Sequence, residues 1–324
     1  MKIISVERRS PILTPSTLAC LAQTPAINLT SGCAHNCVYC YARGYSTFPG
    51  QGTVVVYKNT LEKLRNEYSA KRVKPEYVYF SPSSDIFQPV PEVSELAYSV
   101  LEFLLSKGTG VAFLSKGFIP DKTMALLIDY ADIVSAQIGI ITTFDDVRRI
   151  FEPGAASTNI RLQQMKRLVA AGIATEARLM PLLPGITDSE SSLDRLLSAV
   201  SETGVKRAAV SGLFLRPAII GSLKRHVPDS LVRPLLTLYG GAGPLAVHAG
   251  CSSVIPLPRQ LREDIYARVR KAANEHAIDI SICGCMNPDI GGVCNIGGKR
   301  PARSAVALQP KLFQIFSGTP RTLW

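Results

Sequence analysis

No stretch of about 18 apolar residues occurs in this chain, so no segment reads as a membrane-spanning helix. The first nine residues, Met1 to Arg9, hold no continuous apolar core and do not read as a secretory signal. Cysteine is scarce and clustered, eight in 324 residues, which is too few for a secreted disulfide scaffold. The thiols read instead as metal ligands in a reducing, cytoplasmic setting. Repeats of fixed period and low-complexity segments are also lacking, which argues against a solenoid or a disordered linker. Acidic residues are outnumbered, 25 against 36 Lys and Arg, for a net charge of +11. None follows Asp289, whereas Lys299, Arg300, Arg303, Lys311 and Arg321 do. A basic excess attracts anionic partners, and this acid-free tail could track a phosphate backbone or lie on an acidic patch of its own domain. The other basic residues are dispersed, with no concentrated stripe interleaved with aromatics, which speaks against a zinc-stabilised nucleic-acid-binding module.

What is present is ordinary globular material, 46% hydrophobic and 19% charged. Short β-type runs at 26–30, 77–80, 111–114, 133–140, 175–180, 207–215 and 278–282 alternate with helical patterns. Val93, Ala97, Val100, Leu101 and Leu104 repeat at helical spacing, as do Leu193, Leu196, Leu197 and Val200. Strict alternation predicts parallel strands with right-handed crossovers. The expected fold is α/β, a partial (β/α)6 barrel of the TIM type with a C-terminal cysteine-rich extension. The division expected is an N-terminal extension at 1–20, a core barrel at 21–215, closing elements at 216–282 and the extension at 283–324. The stretch 216–258, rich in glycine and proline, reads as irregular structure.

The densest chemical signal is Cys33-Ala34-His35-Asn36-Cys37-Val38-Tyr39-Cys40. Three closely spaced thiolates can hold three irons of a [4Fe–4S] cube and leave the fourth iron to a small molecule. A zinc knuckle would want four ligands, and His35 lies too close to its neighbours to complete a tetrahedron. Three unrelated core thiols are the remaining alternative. The run follows the first expected strand, at the rim where such barrels gather their chemistry.

This spacing resembles that of the radical S-adenosylmethionine (SAM) enzymes. The passage from Gly32-Cys33 to Cys40-Tyr41-Ala42-Arg43 is similar to the spore photoproduct lyase-like branch, also labelled DNA-repair photolyase-like. Ser83-Ser84-Asp85-Ile86, Gln88-Pro89, Leu114-Ser115-Lys116, Ser135-Ala136-Gln137-Ile138, Arg148 to Pro153, Arg161 and Met180 to Ile186 follow in the order of that branch. The resemblance implies a [4Fe–4S] cluster on Cys33, Cys37 and Cys40 with SAM on its open iron. It also implies reductive cleavage of SAM to a 5′-deoxyadenosyl radical that abstracts hydrogen from a substrate, and a reducing partner such as flavodoxin or ferredoxin. SAM contacts are then expected from Ser84 and Asp85 to the ammonium or ribose, from Lys116 to the carboxylate or ribose, from the Ser135 hydroxyl, and from Tyr39 against adenine. One departure matters. Spore photoproduct lyases carry a hydrogen-donating cysteine just before the Ser-Asp pair, and Phe80 to Asp85 holds none. Reversal of a thymine dimer is therefore not expected, and the expected substrate is a peptide or small metabolite, with DNA or RNA the alternative. A non-catalytic iron–sulfur electron carrier or sensor is the other alternative.

A second array, Cys283-Gly284-Cys285 with Cys294, lies beyond the last expected strand, and Cys251 is the natural fourth thiol. The expectation is a second [4Fe–4S] cluster; structural zinc with Cys251 or a histidine, or buried thiols, are the alternatives. Cys20 reads as a packed core residue.

Overall fold

The computed structural model describes residues 1–14, 21, 24–248, 250 and 252–292. Strands β1 (Lys2–Val6), β2 (Ala26–Ile27), β3 (Thr30–Ser31) and β4 (Thr53–Tyr57) come first. A small sheet of order β1-β4-β3 pairs β1 parallel and β3 antiparallel to β4. The alternating part then runs α1 (Thr60–Ala70), β5 (Tyr77–Phe80), α2 (Pro91–Ser106), β6 (Gly110–Ser115), α3 (Asp121–Asp129), β7 (Val134–Gly139), α4 (Asp145–Phe151), α5 (Thr158–Ala170), β8 (Ala174–Leu182), α6 (Glu190–Ser201) and β9 (Arg207–Gly212). After it come α7 (Pro217–His226), α8 (Asp229–Thr237), the hairpin β10 (Leu245–Val247) with β11 (Ser252–Val254), α9 (Arg259–Glu275) and β12 (Asp279–Ile282). The large sheet has seven strands in the order β12-β9-β8-β7-β6-β5-β2, all parallel, which is the expected partial barrel. No described helix is long and apolar enough to cross a membrane.

The side-chain period of two sorts the barrel strands into two faces. Val78 and Phe80 of β5, Val111 and Phe113 of β6, Val134, Ala136 and Ile138 of β7, and Ala177 and Leu179 of β8 share one apolar cluster. Val93, Ala97, Val100, Leu101 and Leu104 of α2 and Leu193, Leu196, Leu197 and Val200 of α6 belong to it too, so this face packs on the helices. The other parity faces inward and is polar: Tyr79, Ser135, Gln137, Glu176, Arg178 and Ser211 are all buried. The Tyr79 hydroxyl donates to Gln137 Oε1 at 3.2 Å, and Gln137 Nε2 donates to Glu176 Oε2 at 2.9 Å. Local signals start the helices. Pro91 opens α2, and the Ser157 and Ser189 hydroxyls accept the Ile160 and Ser192 N–H groups at the starts of α5 and α6.

Two expectations change, and one element is new. The run 26–30 is not one strand: it splits between two sheets at Asn28, whose Oδ1 accepts from the Ser83 N–H (3.2 Å) and hydroxyl (2.9 Å). The stretch 216–258 is not irregular, because several of its prolines stand at the starts of elements, although Pro234 lies inside α8. Pro217 opens α7 and Pro228 precedes α8, where a missing N–H costs nothing. Residues 2–6 form a strand because β4 offers a parallel edge to a run with no regular alternation of its own.

Phe113 is fully buried and meets Phe87 edge-on at 5.2 Å between ring centroids. Phe113→Ala is expected to cost about 3–5 kcal/mol of stability, read by denaturant unfolding. A loss under about 1 kcal/mol would contradict its place between sheet and helices.

Candidate functional site

The cysteine loop leaves β3 with almost no regular structure, so its backbone groups must find partners elsewhere. Two tight turns shape it: Asn36 N–H donates to Cys33 O at 3.2 Å and Cys40 N–H to Cys37 O at 3.3 Å. Asn36 sits at φ 53°, and the Arg43 guanidinium donates to its O (3.0 Å) and Oδ1 (2.8 Å) and to Cys37 O (3.0 Å). Buried Gln88 accepts from Ala34 N–H at 2.8 Å and donates to Asp85 O (2.9 Å) and Thr30 Oγ1 (3.0 Å), tying the loop to the chain after β5.

Two buried carboxylates complete the frame. Asp85 accepts from the Phe87 N–H (2.8 Å), the Ser115 hydroxyl (2.9 Å) and the Lys116 N–H (2.7 Å), and lies 3.0 Å from His35 Nε2. Burial opposes its charge, but His35 and the N–H donors outweigh burial and hold its carboxyl below the usual range. The other nitrogen of His35, Nδ1, lies 2.9 Å from Gly154 O. Gly154 N–H returns a bond to His35 O at 3.0 Å, and a Cβ at Gly154 would stand 2.3 Å from Ala34 O, so only glycine fits. Glu152, 0% exposed, pairs with Arg161 at 2.7 Å and accepts the Tyr39 hydroxyl. Here too burial opposes ionisation, and Arg161 and Lys116 outweigh it. Arg161 also donates to Gly139 O at 2.7 Å, and Arg148 holds Glu152 O and Ala155 O at 3.0 and 3.1 Å.

A cavity of about 130 Å³ opens between Cys33, Cys37 and Cys40 on one side and Ser81, Ser84, Asp85 and Lys116 on the other. The hydroxyls of Ser81 and Ser84 are buried there without partners among the described residues, and Ser81 takes a left-handed φ of 58°. Of the five expected SAM contacts, the structure brings Ser84, Asp85 and Lys116 to the cysteines. Both Asp85 oxygens are already engaged in bracing the loop. Tyr39 packs behind the loop, its hydroxyl on Glu152 and its ring centroid 5.8 Å from Lys116 Nζ. Ser135 is not among the lining residues. It is the second residue of β7, in register with Ala112 and Ala174, whereas Ser115 and Ile138 mark the rim. Gln88, Glu152 and His35 are bracing residues that motif reading had not assigned. Their signal is polar residues embedded in apolar context, which spacing alone does not interpret.

The donor set suits an iron–sulfur cluster. Burial pushes the Cys37 thiol up to about 12 and the Cys33 thiol well above its ordinary value. Metal cations are what would turn such thiols into thiolates.

In the second array, Cys283 is buried directly after β12, its N–H on Val210 O at 3.0 Å. Its carbonyl accepts the Asn287 N–H (3.1 Å) and side-chain amide (2.9 Å). Asn287 Oδ1 accepts from the Tyr266 hydroxyl at 2.9 Å and Arg262 at 3.1 Å, and Arg262 pairs with Asp289. His248, at φ 53°, donates its N–H to Cys285 O at 3.0 Å. Cys251, Cys294 and Cys20 lie outside the described residues.

A parallel partial barrel with a three-cysteine loop at its C-terminal rim defines a class of proteins that hold a metal cluster beside a small-molecule cavity. The chain belongs to the radical SAM superfamily, whose family model matches residues 27–197. Membership implies a [4Fe–4S] cluster and SAM. An uncharacterized protein of Mycobacterium tuberculosis (strain ATCC 25618 / H37Rv), Rv2578c, is 29% identical over 204 residues, 60% of each chain. The chain thus spans less than two thirds of the curated mycobacterial relatives it matches. A radical SAM Nα-GlyT isomerase of Pseudomonas phage M6 is 25% identical over 255 residues, 78% of this chain and 51% of that one. In fold, the chain matches spore photoproduct lyase complexed with dinucleoside spore photoproduct, with a TM-score of 0.63 and 15% identity over 86% of this chain and 81% of that one.

Gln88→Leu keeps the side-chain volume but strands the Ala34 N–H. The expected result is a loss of about 1–3 kcal/mol and a lower iron content after anaerobic reconstitution, read by iron analysis and chelator challenge. Full iron retention at the intact rate would remove Gln88 from the frame.

Proposed function

We infer that this protein reductively cleaves SAM at a [4Fe–4S] cluster held by Cys33, Cys37 and Cys40 and uses the product to abstract hydrogen from a peptide or small metabolite. The observation that carries the reading is the cavity that has the three thiols on one wall and Ser84 and Lys116 on the other. When bound, the cluster supplies the electron that breaks the SAM sulfonium. The chain's own residues do the rest. Lys116 presents a cation for the SAM carboxylate or a donor for its ribose. Ser84 presents a hydroxyl without a partner among the described residues, and Asp85, Gln88 and Glu152 keep the loop in place. A one-electron donor such as flavodoxin or ferredoxin supplies the reductant.

Cys283 and Cys285, with Cys294 and Cys251, hold a second cluster in this reading. What supports it is the buried turn at Cys283, which Asn287, Tyr266 and Arg262 fix by hydrogen bonds. Hydrogen abstraction followed by rearrangement is supported by the phage relative, which is named an isomerase.

Anaerobic protein with a strong reductant should convert SAM to 5′-deoxyadenosine. Replacing Cys33, Cys37 and Cys40 together with alanine should abolish this and lower iron from about eight to about four per chain. Product from the triple variant would sink the reading. About four irons plus one zinc in the intact protein would favour zinc at the second array.

Residues 80–85 contain no thiol to return hydrogen to a product radical. The expected result with spore photoproduct dinucleotide is therefore SAM cleavage without repair. Multiple turnovers to the repaired dinucleotide, followed by chromatography, would restore the lyase reaction.

A further inference from the structure

Each of the large buried arginines near the site has a bonded role except one. Arg148 pairs with Asp145, Arg161 with Glu152 and Arg262 with Asp289. Arg178, on the inward face of β8, is 5% exposed. No ion pair to it and no hydrogen bond from its guanidinium occurs among the described residues, and its Nε is buried without an acceptor. Every Asp and Glu of the chain lies among the described residues, since positions 15–20, 22–23, 249, 251 and 293–324 contain neither. Glu176, two residues before it on the same inward face, takes the Gln137 amide on Oε2, and no ion pair joins it to Arg178 among the described residues. A buried guanidinium with no directly bonded anion is a costly arrangement.

The surroundings are made for an incoming group. In register, Arg178 lies between Gly139 of β7 and Ala209 of β9, two very small side chains, and Ala209 lies next to Ser281 of β12. The Lys116 side chain crosses Gly139, where a Cβ would stand 2.8 Å from Lys116 Cγ. The hydroxyl of Ser281 is buried without a partner among the described residues. One level of the barrel interior thus presents two cations and, at Ser281, a hydroxyl without a partner among the described residues, around a small-residue gap. Lys116 lines the cavity with the cysteines, and Arg178 does not, being set further round the barrel.

We propose that Arg178 receives an anionic group of the substrate, a carboxylate or phosphate, whose two oxygens fit its planar fork. The proposal rests on the radical SAM reading above, which makes the barrel interior the substrate's place. The probes are inorganic phosphate and acetate, added to the full-length protein at constant ionic strength with chloride as reference. Either or both should raise the unfolding temperature of the intact protein by about 3 °C or more at saturation. Arg178→Met should abolish that rise and, in chloride, should unfold at the same or a higher temperature than the intact protein, because an uncompensated charge has gone. Arg178→Lys should retain part of the rise. Absence of any anion-dependent rise in the intact protein overturns the proposal, as does an equal rise in the Met variant or a Met variant that unfolds lower in chloride.

SAM itself carries a carboxylate, so its affinity for the reconstituted proteins is the second arm. The Met substitution should weaken phosphate or acetate binding at least about tenfold more than SAM binding, one decade being about 1.4 kcal/mol. Equal losses would assign Arg178 to SAM and overturn the substrate role. If the intact reconstituted protein fails to cleave SAM, the underlying reading falls whatever the anions do. If it cleaves SAM but shows no anion effect, Arg178 alone is wrongly assigned.

Discussion

The Asp85 carboxylate is the point on which the site hangs. It joins the cysteine loop, through His35, to the end of β6, through the Ser115 hydroxyl and the Lys116 N–H. The loop that carries the three thiols has almost no regular structure from residue 32 to residue 40. Its peptide groups then lack the usual partners, and in a buried setting each would cost about as much as a lost hydrogen bond. Two other segments supply those bonds: Gln88 accepts the Ala34 N–H, the Gly154 N–H donates to His35 O, and Phe151 O accepts the Val38 N–H, while Asp85 and the Gly154 carbonyl hold the His35 ring. The same carboxylate orients the backbone that carries Lys116, so loop and cation are set by one group.

The barrel has an unusual division of polarity. In a closed TIM barrel the interior is packed with branched apolar side chains. Here the apolar side chains of β5 to β9 face the helices, and the inward parity carries Tyr79, Ser135, Gln137, Glu176, Arg178 and Ser211. Stability therefore comes chiefly from the layer between sheet and helices, with α2 and α6 contributing continuous apolar stripes. The interior is left free to be chosen for chemistry. Such a division suits an open barrel whose lumen receives a polar molecule, because buried polar groups are tolerated where a partner is supplied.

Much of this was legible in the residues. Alternation of apolar strands with amphipathic helices was enough for the parallel barrel, and the spacing of Cys33, Cys37 and Cys40 was enough to single out the loop whose three thiols line one cavity, because both depend on local pattern. The run Val134-Ser135-Ala136-Gln137-Ile138-Gly139 even displays the two-faced strand once its parity is known. What was hidden depends on distant pairing. Nothing near Glu152 announces Arg161 and Tyr39 as its partners, and nothing near residues 2–6 announces the free edge of β4. Ser135 was expected among the SAM contacts from its strand alone, and the structure sets it at the second residue of β7, away from the cavity lining. Its level within the strand is a matter of register, which a single sequence does not display. The helices of 216–237 were obscured because proline reads as a breaker, whereas Pro217 and Pro228 stand at helix starts and Pro234 is carried inside α8.

The braces of the loop come from far along the chain: His35 meets Gly154 across 119 positions and Tyr39 meets Glu152 across 113. During synthesis the three cysteines emerge early, while the segment that buries them is made only after four more strands of the molecule. Until then the thiols belong to a flexible, solvated chain in which a metal ion or an oxidant meets no selection by shape. The finished pocket appears when α4 and α5 dock. Assembly of the cofactor is in this way tied to completion of the barrel, and a ribosome stalled before residue 161 exposes a reactive thiol cluster with no frame around it.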